Sequence, residues 1–142
     1  MDKFLTMKVT LDDGAFMPKR AHETDAGLDL FAREDALIPA KGAAIFDTGV
    51  HVAIPAGYVG FIKSKSGLNM KHGIQSEGVI DAGYTGEIIT KLYNHSDADY
   101  QVKRGDKITQ LVILPIATPT PVLVDKLEET ERGDGGFGST GK

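Results

Sequence analysis

Apolar and polar positions alternate along much of the chain. Leu5, Met7, Val9 and Leu11 are separated by Thr6, Lys8 and Thr10, and Val50, Val52 and Ile54 by His51 and Ala53, the period-two pattern of a half-buried strand. Shorter β-rich runs follow at Val59–Lys63, Ile88–Tyr93, Ile108–Leu114 and Val122–Val124. They are punctuated by turn signals at Asp12-Asp13-Gly14, Pro55-Ala56-Gly57, Asp81-Ala82-Gly83 and Arg104-Gly105-Asp106. Many short strands predict a sandwich, barrel or jelly roll. Long amphipathic helices are missing from the pattern; a single helical turn is predicted from Gly67 to Lys71, with Ser64 or Ser66 as its cap. From about Leu127 the alternation ends, and LEETERGDGGFGSTGK offers few residues for a core. Residues 1–126 therefore read as one β domain and 127–142 as a mobile glycine-rich arm.

The 142 residues suffice for one domain with a sizeable core. Sixteen Lys and Arg against twenty Asp and Glu leave a net charge of −4, which disfavours nucleic acid and anionic membranes as partners, so an anionic ligand needs a local site. The absence of cysteine excludes disulfides, thiolate metal sites and a cysteine nucleophile together. No apolar run approaches a bilayer span, and MDKFLTMKVTL has no signal-peptide pattern, so the expected location is the cytoplasm.

Four stretches carry candidate chemistry. In KSKSGLNMKHG, the start of a short helix lies beside Lys63, Lys65, Ser64 and Ser66, which suits phosphate oxygens and equally suits a solvated helix start. In GVIDAGYTGEI, Asp81 stands next to a glycine turn between apolar residues, either a plain hairpin or a carboxylate able to orient water. Asp25 and Asp29 in TDAGLDLFA are hard oxygen donors of the kind Mg²⁺ or its water shell accepts, or else turn and strand-edge charges. The tail RGDGGFGSTGK fits G-x-x-x-x-G-K literally, but the chain stops where the metal-binding hydroxyl and a helix must follow, so it is no P-loop. What remains is an arm with an arginine, an aromatic ring, hydroxyls and close-approaching glycines, or a disordered terminus. The histidines at 22, 51, 72 and 95 have no ligand spacing, and no G-x-S-x-G supports a serine triad.

Taken in order, AGLDL, SKSGL, GVIDAGYTGEI, RGDKITQLVI and RGDGGFGSTG resemble the five motifs of the trimeric deoxyuridine triphosphatase (dUTPase) family, over Asp25 to Gly141. The resemblance implies an all-β jelly-roll subunit with one short helix and a flexible arm. It also implies a homotrimer whose sites are shared between chains, and hydrolysis of dUTP to dUMP and pyrophosphate with Mg²⁺. Carried over by position, Asp81 matches the carboxylate that orients the attacking water, and Val79 and Ile80 match the backbone that reads uracil. Tyr84 matches the ring beneath deoxyribose. Asp29 matches a carboxylate acting on magnesium through water, the metal being held mainly by the triphosphate. Lys65, Ser66 and Gly67 match the phosphate-contacting turn, and Gln110 the amide near the α-phosphate. Arg132 matches a γ-phosphate clamp, Phe137 a lid over the base, and Gly138, Ser139 and Thr140 further phosphate contacts of the arm.

The chain departs from the family pattern in three places. Lys65 replaces a frequent Arg, so a planar two-pronged contact becomes a point charge. Leu28 replaces a frequent Tyr. The connection from the helical turn to Asp81 is short, leaving Gln75 as the nearest counterpart of an Asn that contacts uracil. Two other readings share the scaffold. A dCTP deaminase needs a glutamate ten residues beyond Asp81, where Lys91 stands. A nucleotide-sensing regulatory protein needs no intact chemistry, yet Asp29, Asp81, Tyr84, Gln110 and Arg132 are all in place.

Overall fold

The computed structural model describes residues 5–138, 140 and 141. Its strands are β1 (Lys8–Leu11), β2 (Gly27–Phe31), β3 (Ala36–Ile38), β4 (Ala43–Ala53), β5 (Tyr58–Lys63), β6 (Ile74–Ile80), β7 (Glu87–Asn94), β8 (Tyr100–Val102) and β9 (Lys107–Pro115), with one helix, α1 (Ser66–His72). Seven strands form an antiparallel sheet in the order β1-β4-β7-β6-β5-β9-β2, and β3 and β8 pair separately. The sheet curls on itself as a jelly roll.

Alternation decides which way each side chain points. On β7, Ile88, Thr90, Leu92 and Asn94 face inward while Ile89, Lys91 and Tyr93 face out. On β6, Ile74, Ser76 and Ile80 are buried, whereas Gln75, Glu77 and Val79 are exposed. The inward residues form two clusters. One joins Leu30, Val50, Val52, Ile54, Ile62, Ile80, Ile88 and Leu111. The other joins Ala32, Ile38, Phe46, Ile74, Leu92, Val102 and Ile108, and β3 and β8 close over it. Burial of apolar area at roughly 25 cal/mol per Å² makes these clusters the main favourable term in folding.

Three local expectations are corrected. Strand β1 begins only at Lys8, because Leu5 and Leu11 are exposed and Met7 and Val9 only half-buried, too little burial to define a longer strand. Val122–Val124 forms no strand: Leu123 is 98% exposed and finds no sheet edge within this chain. The N-cap of α1 is Lys65, with no side-chain cap. Ser64, an expected cap, instead accepts from the Ser76 backbone N–H at 3.0 Å and ties the turn to β6. Gly73 in the left-handed region ends the helix, its N–H donating to the Asn69 carbonyl at 3.0 Å.

Candidate active site

The first cluster of expected site residues gathers where β2, β9 and β5 run side by side. Asp29 lies opposite Gln110, and Gln110 opposite Lys63. The Asp29 carboxylate is 3% exposed and paired with the Lys65 ammonium, with the Lys107 ammonium 3.4 Å from its other oxygen. A carboxylate this buried needs such partners, since an unpaired charge would not stay ionised there. Two ammoniums around one carboxylate leave a net positive charge beside the Ser66–Gly67 turn. Gln110 donates its amide to the Ser64 carbonyl at 2.8 Å, and Thr109 donates its hydroxyl to the Lys63 carbonyl at 3.0 Å. Gly27 is required here, because a Cβ at that position would stand 2.0 Å from Oε1 of Gln110.

The second cluster is the β6–β7 hairpin. Val79 and Ile80 pair with Phe61 and Gly60 of β5. The chain then turns at Asp81, whose carbonyl accepts from Tyr84 N–H at 3.0 Å. The Tyr84 hydroxyl donates to the Glu87 carbonyl at 2.7 Å, which lays the ring across Gly86, where a Cβ would meet it at 2.6 Å. Val79, Ile80, Asp81, Tyr84, Glu87 and Ile89 line an open cleft of about 230 Å³. Sites for small ligands usually enclose roughly 300 Å³ or more, so this cleft is only part of one.

Within one chain the two clusters do not meet. The phosphate-side group sits at the Lys63 end of β5 and the hairpin beyond the Gly60 end, at least roughly 10 Å further along the strand at 3.3 Å per residue. The arm touches neither group: the Arg132 guanidinium donates to the Gly135 carbonyl at 2.6 Å, and the Phe137 ring is wholly exposed, with Gly138 and Thr140 also at the surface. Ser139 lies outside the described residues. Gln75 is at the opposite end of β6 from the hairpin, its Oε1 2.8 Å from His95 Nε2, and does not line the cleft. Lys91, at the position where a deaminase carries its glutamate, lies on the outer face over the Tyr93 ring.

Asp25 is not part of the phosphate-side group. Its carboxylate accepts from His22 N–H at 3.0 Å, and that bond holds its pKa below the usual carboxylate value. Among the described residues no group of three or more His, Cys, Asp or Glu is placed to hold a metal ion. Asp29 is the hard oxygen donor of the phosphate-side cluster and is already charge-paired. That donor set fits a divalent cation carried by a ligand's own phosphates, with Asp29 acting through water.

Sequence reasoning missed Lys107, Glu87 and His51. Glu87 accepts from Gly49 N–H at 2.7 Å and faces Arg33 at 3.4 Å, while His51 bridges Asp12 and the Thr85 carbonyl. Each acts through a partner distant in sequence, so no local spacing could have revealed it.

A curled antiparallel sheet with a charged turn and a carboxylate-bearing hairpin on its rim defines a β jelly-roll protein. The comparisons with known proteins name the particular family. A family model described as dUTPase matches residues 13–141. A deoxyuridine 5'-triphosphate nucleotidohydrolase of Arabidopsis thaliana is 49% identical over 92% of this chain and 80% of its own length. One of Eremothecium gossypii is 46% identical over 96% and 91%. The dUTPase of Staphylococcus bacteriophage 80alpha, solved with dUpNHpp, superposes with a TM-score of 0.90 at 35% identity, over 96% of this chain and 99% of that one. The chain belongs to the dUTPase family.

Among its other relatives, the dUTPase of phage phi11 of S. aureus (TM-score 0.81, 35% identity, 88% of this chain and 100% of that one) coordinates a structural Mg(II) ion. The 80alpha enzyme is also described as controlling transfer of virulence genes. A Dictyostelium discoideum relative is mitochondrial. No helix among the described residues of this chain is long and apolar enough to cross a membrane.

Proposed function

We propose that the protein is a dUTP diphosphatase that converts dUTP and water to dUMP and pyrophosphate. Its active sites are shared between the chains of a cytoplasmic homotrimer. The observation that carries this reading is the separation of two half-sites on one chain, a carboxylate-and-tyrosine hairpin and a cationic phosphate-side turn, at opposite ends of β5. A second copy that sets its phosphate-side turn against this hairpin completes the cleft. A third chain's arm then closes over the ligand with Phe137 on the base and Arg132, Gly138, Ser139 and Thr140 on the γ-phosphate. In this division residues 1–126 are the catalytic body and 127–142 the closing arm.

The uracil edge is read by the Val79–Ile80 backbone, and the deoxyribose lies on the Tyr84 ring. That ring is pinned by its bond to Glu87, so it cannot retreat from a 2′-hydroxyl, and ribonucleotides are rejected by sterics. Asp81 accepts a proton from the water it aligns as the water oxygen bonds to the α-phosphorus. The bond from that phosphorus to the bridging oxygen breaks, and pyrophosphate leaves. Lys65, Ser66, Gly67 and Gln110 hold the phosphate chain in line. Mg²⁺ bound to the triphosphate, with Asp29 acting through water, supplies charge neutralisation for the leaving group.

Pyrophosphate release from dUTP, dCTP, dTTP and UTP, with and without Mg²⁺, tests the reading. The expected result is turnover of dUTP alone and dependence on the metal. Replacing Asp81 with Ala lowers kcat by at least about a thousandfold and spares nucleotide binding, in line with loss of a general base together with water positioning. Tight dUTP binding without turnover by the unaltered protein would select the nucleotide-sensing reading instead, and ammonia release from dCTP the deaminase.

A further inference from the structure

His51 lies on β4 between Thr10 of β1 and Glu87 of β7. Its Nδ1 is 2.9 Å from the Thr85 carbonyl, and its Nε2 is 3.1 Å from both carboxylate oxygens of Asp12. Neither a carbonyl nor an ionised carboxylate can donate, so both ring nitrogens must, and the ring in this arrangement is an imidazolium. Asp12 is itself anchored, its N–H donating to the Gly49 carbonyl at 2.8 Å and its carbonyl accepting from Ala15 at 3.0 Å.

The bridge ends on the residue that follows Tyr84. Two positions of β4 grip the descending limb of the hairpin: His51 at the Thr85 carbonyl, and the Gly49 N–H at the Glu87 carboxylate, 2.7 Å away. Between those two grips the Tyr84 ring lies across Gly86. The ascending limb, which delivers Asp81, is held instead by pairing of Val79 and Ile80 with β5.

We propose that His51 is a positioning residue for dUTP hydrolysis: bridged between Asp12 and the Thr85 carbonyl, it fixes the limb of the hairpin that sets Tyr84 beneath the deoxyribose. This rests on the assignment of the hairpin to the nucleoside.

The charged groups facing His51 are Asp12 from the turn after β1, Lys8 of β1 in the adjoining shallow groove, and Glu87 of β7, whose carboxylate is turned toward Gly49 and Arg33. The Thr85 carbonyl first, and the Asp12 carboxylate next, raise the His51 pKa above its ordinary value, with the Glu87 charge adding to the effect. The bridge is therefore complete below a pH of about 6.5 and is lost as pH rises through the raised folded value. A neutral ring keeps one N–H and must release Thr85 or Asp12.

Steady-state kinetics on dUTP and UTP from about pH 6 to pH 9, for the unaltered enzyme, His51→Phe, His51→Gln and Asp12→Asn, test the proposal. In the unaltered enzyme KM for dUTP climbs with pH through the His51 titration. In His51→Phe that limb is absent. KM at low pH is about tenfold higher, the preference for dUTP over UTP falls by a similar factor, and kcat stays within about twofold, as expected for loss of one charge-assisted hydrogen bond. His51→Gln retains one donor to Thr85, so its KM falls between the two at every pH, and it serves if the phenylalanine variant does not fold. Asp12→Asn keeps the ring on Thr85 and moves the limb to lower pH. An unchanged KM, preference and pH limb in both His51 variants, or an unmoved limb in Asp12→Asn, overturns the proposal. Tyr84→Ala separates the two levels: if it leaves the dUTP preference intact, the hairpin assignment fails whatever His51 does.

Discussion

Tyr84 and Gln110 illustrate how the site is built residue by residue, each polar end tied to a backbone carbonyl and each lying where only a glycine leaves room. A Cβ at residue 27 would stand 2.0 Å from the Gln110 amide, so Gly27→Ala displaces that amide from the phosphate-side cluster. The expected outcome is a loss of dUTP turnover of at least about tenfold with the sheet retained, seen as weakened kinetics with an unchanged far-UV circular dichroism spectrum. In the core the effect is the reverse. Leu111 is fully buried among Leu30, Ile54, Ile62 and Ile80, and Leu111→Ala costs roughly 2–5 kcal/mol of stability, measurable as a lower denaturant midpoint. Asp25 gives a pH dependence of opposite sense to His51. Its folded pKa is lowered by the His22 N–H, so the stability it contributes is present above the ordinary aspartate value, near 3.9, and fades as pH falls through the folded value. In Asp25→Asn that part of the acid limb is missing from the unfolding curve.

At the scale of elements, the arm is chemically equipped yet touches neither half-site on its own chain. Removing residues 132–142 is expected to lower kcat/KM for dUTP by at least about a hundredfold, because two or more charge-assisted phosphate contacts and the aromatic lid go together. The melting temperature of the body is unchanged, since Glu128, Glu129, Arg132 and Phe137 are exposed and contribute no core. The elements also show what could be read in advance. Alternation placed Val50, Val52 and Ile54 inward correctly, because period two is a local property of one strand. The Asp81–Tyr84 turn was equally legible, as aspartate and glycine supply turn chemistry without outside help. Strands β3 and β8 were not, since three-residue segments acquire their pairing only from each other across the fold. Ser64 reads as a helix cap from neighbours in sequence, while the bond that it makes is to Ser76 on another strand. The Asp29 charge network escaped for the same reason: Lys107 is opposite Phe31 with a register shift between, a geometry that no spacing rule encodes.

The whole molecule offers an incomplete site on each chain. The hairpin cleft, at about 230 Å³, and the Asp29–Lys65–Gln110 group face different ends of β5, and Val122, Leu123 and Leu127 project apolar surface that a lone chain leaves in water. Assembly of identical chains by closed symmetry answers both features at once. The most direct test of this account mixes two inactive variants, Asp81→Ala and Gln110→Ala, after each has been dissociated and the two reassembled together in equal amounts. With half-sites drawn from different chains, about a quarter of the sites receive an intact Asp81 from one subunit and an intact Gln110 from another, so about a quarter of the unaltered activity returns. If both residues served the same substrate from a single chain, every site in the mixture would lack one of them, and activity no higher than that of the separate variants would contradict the account.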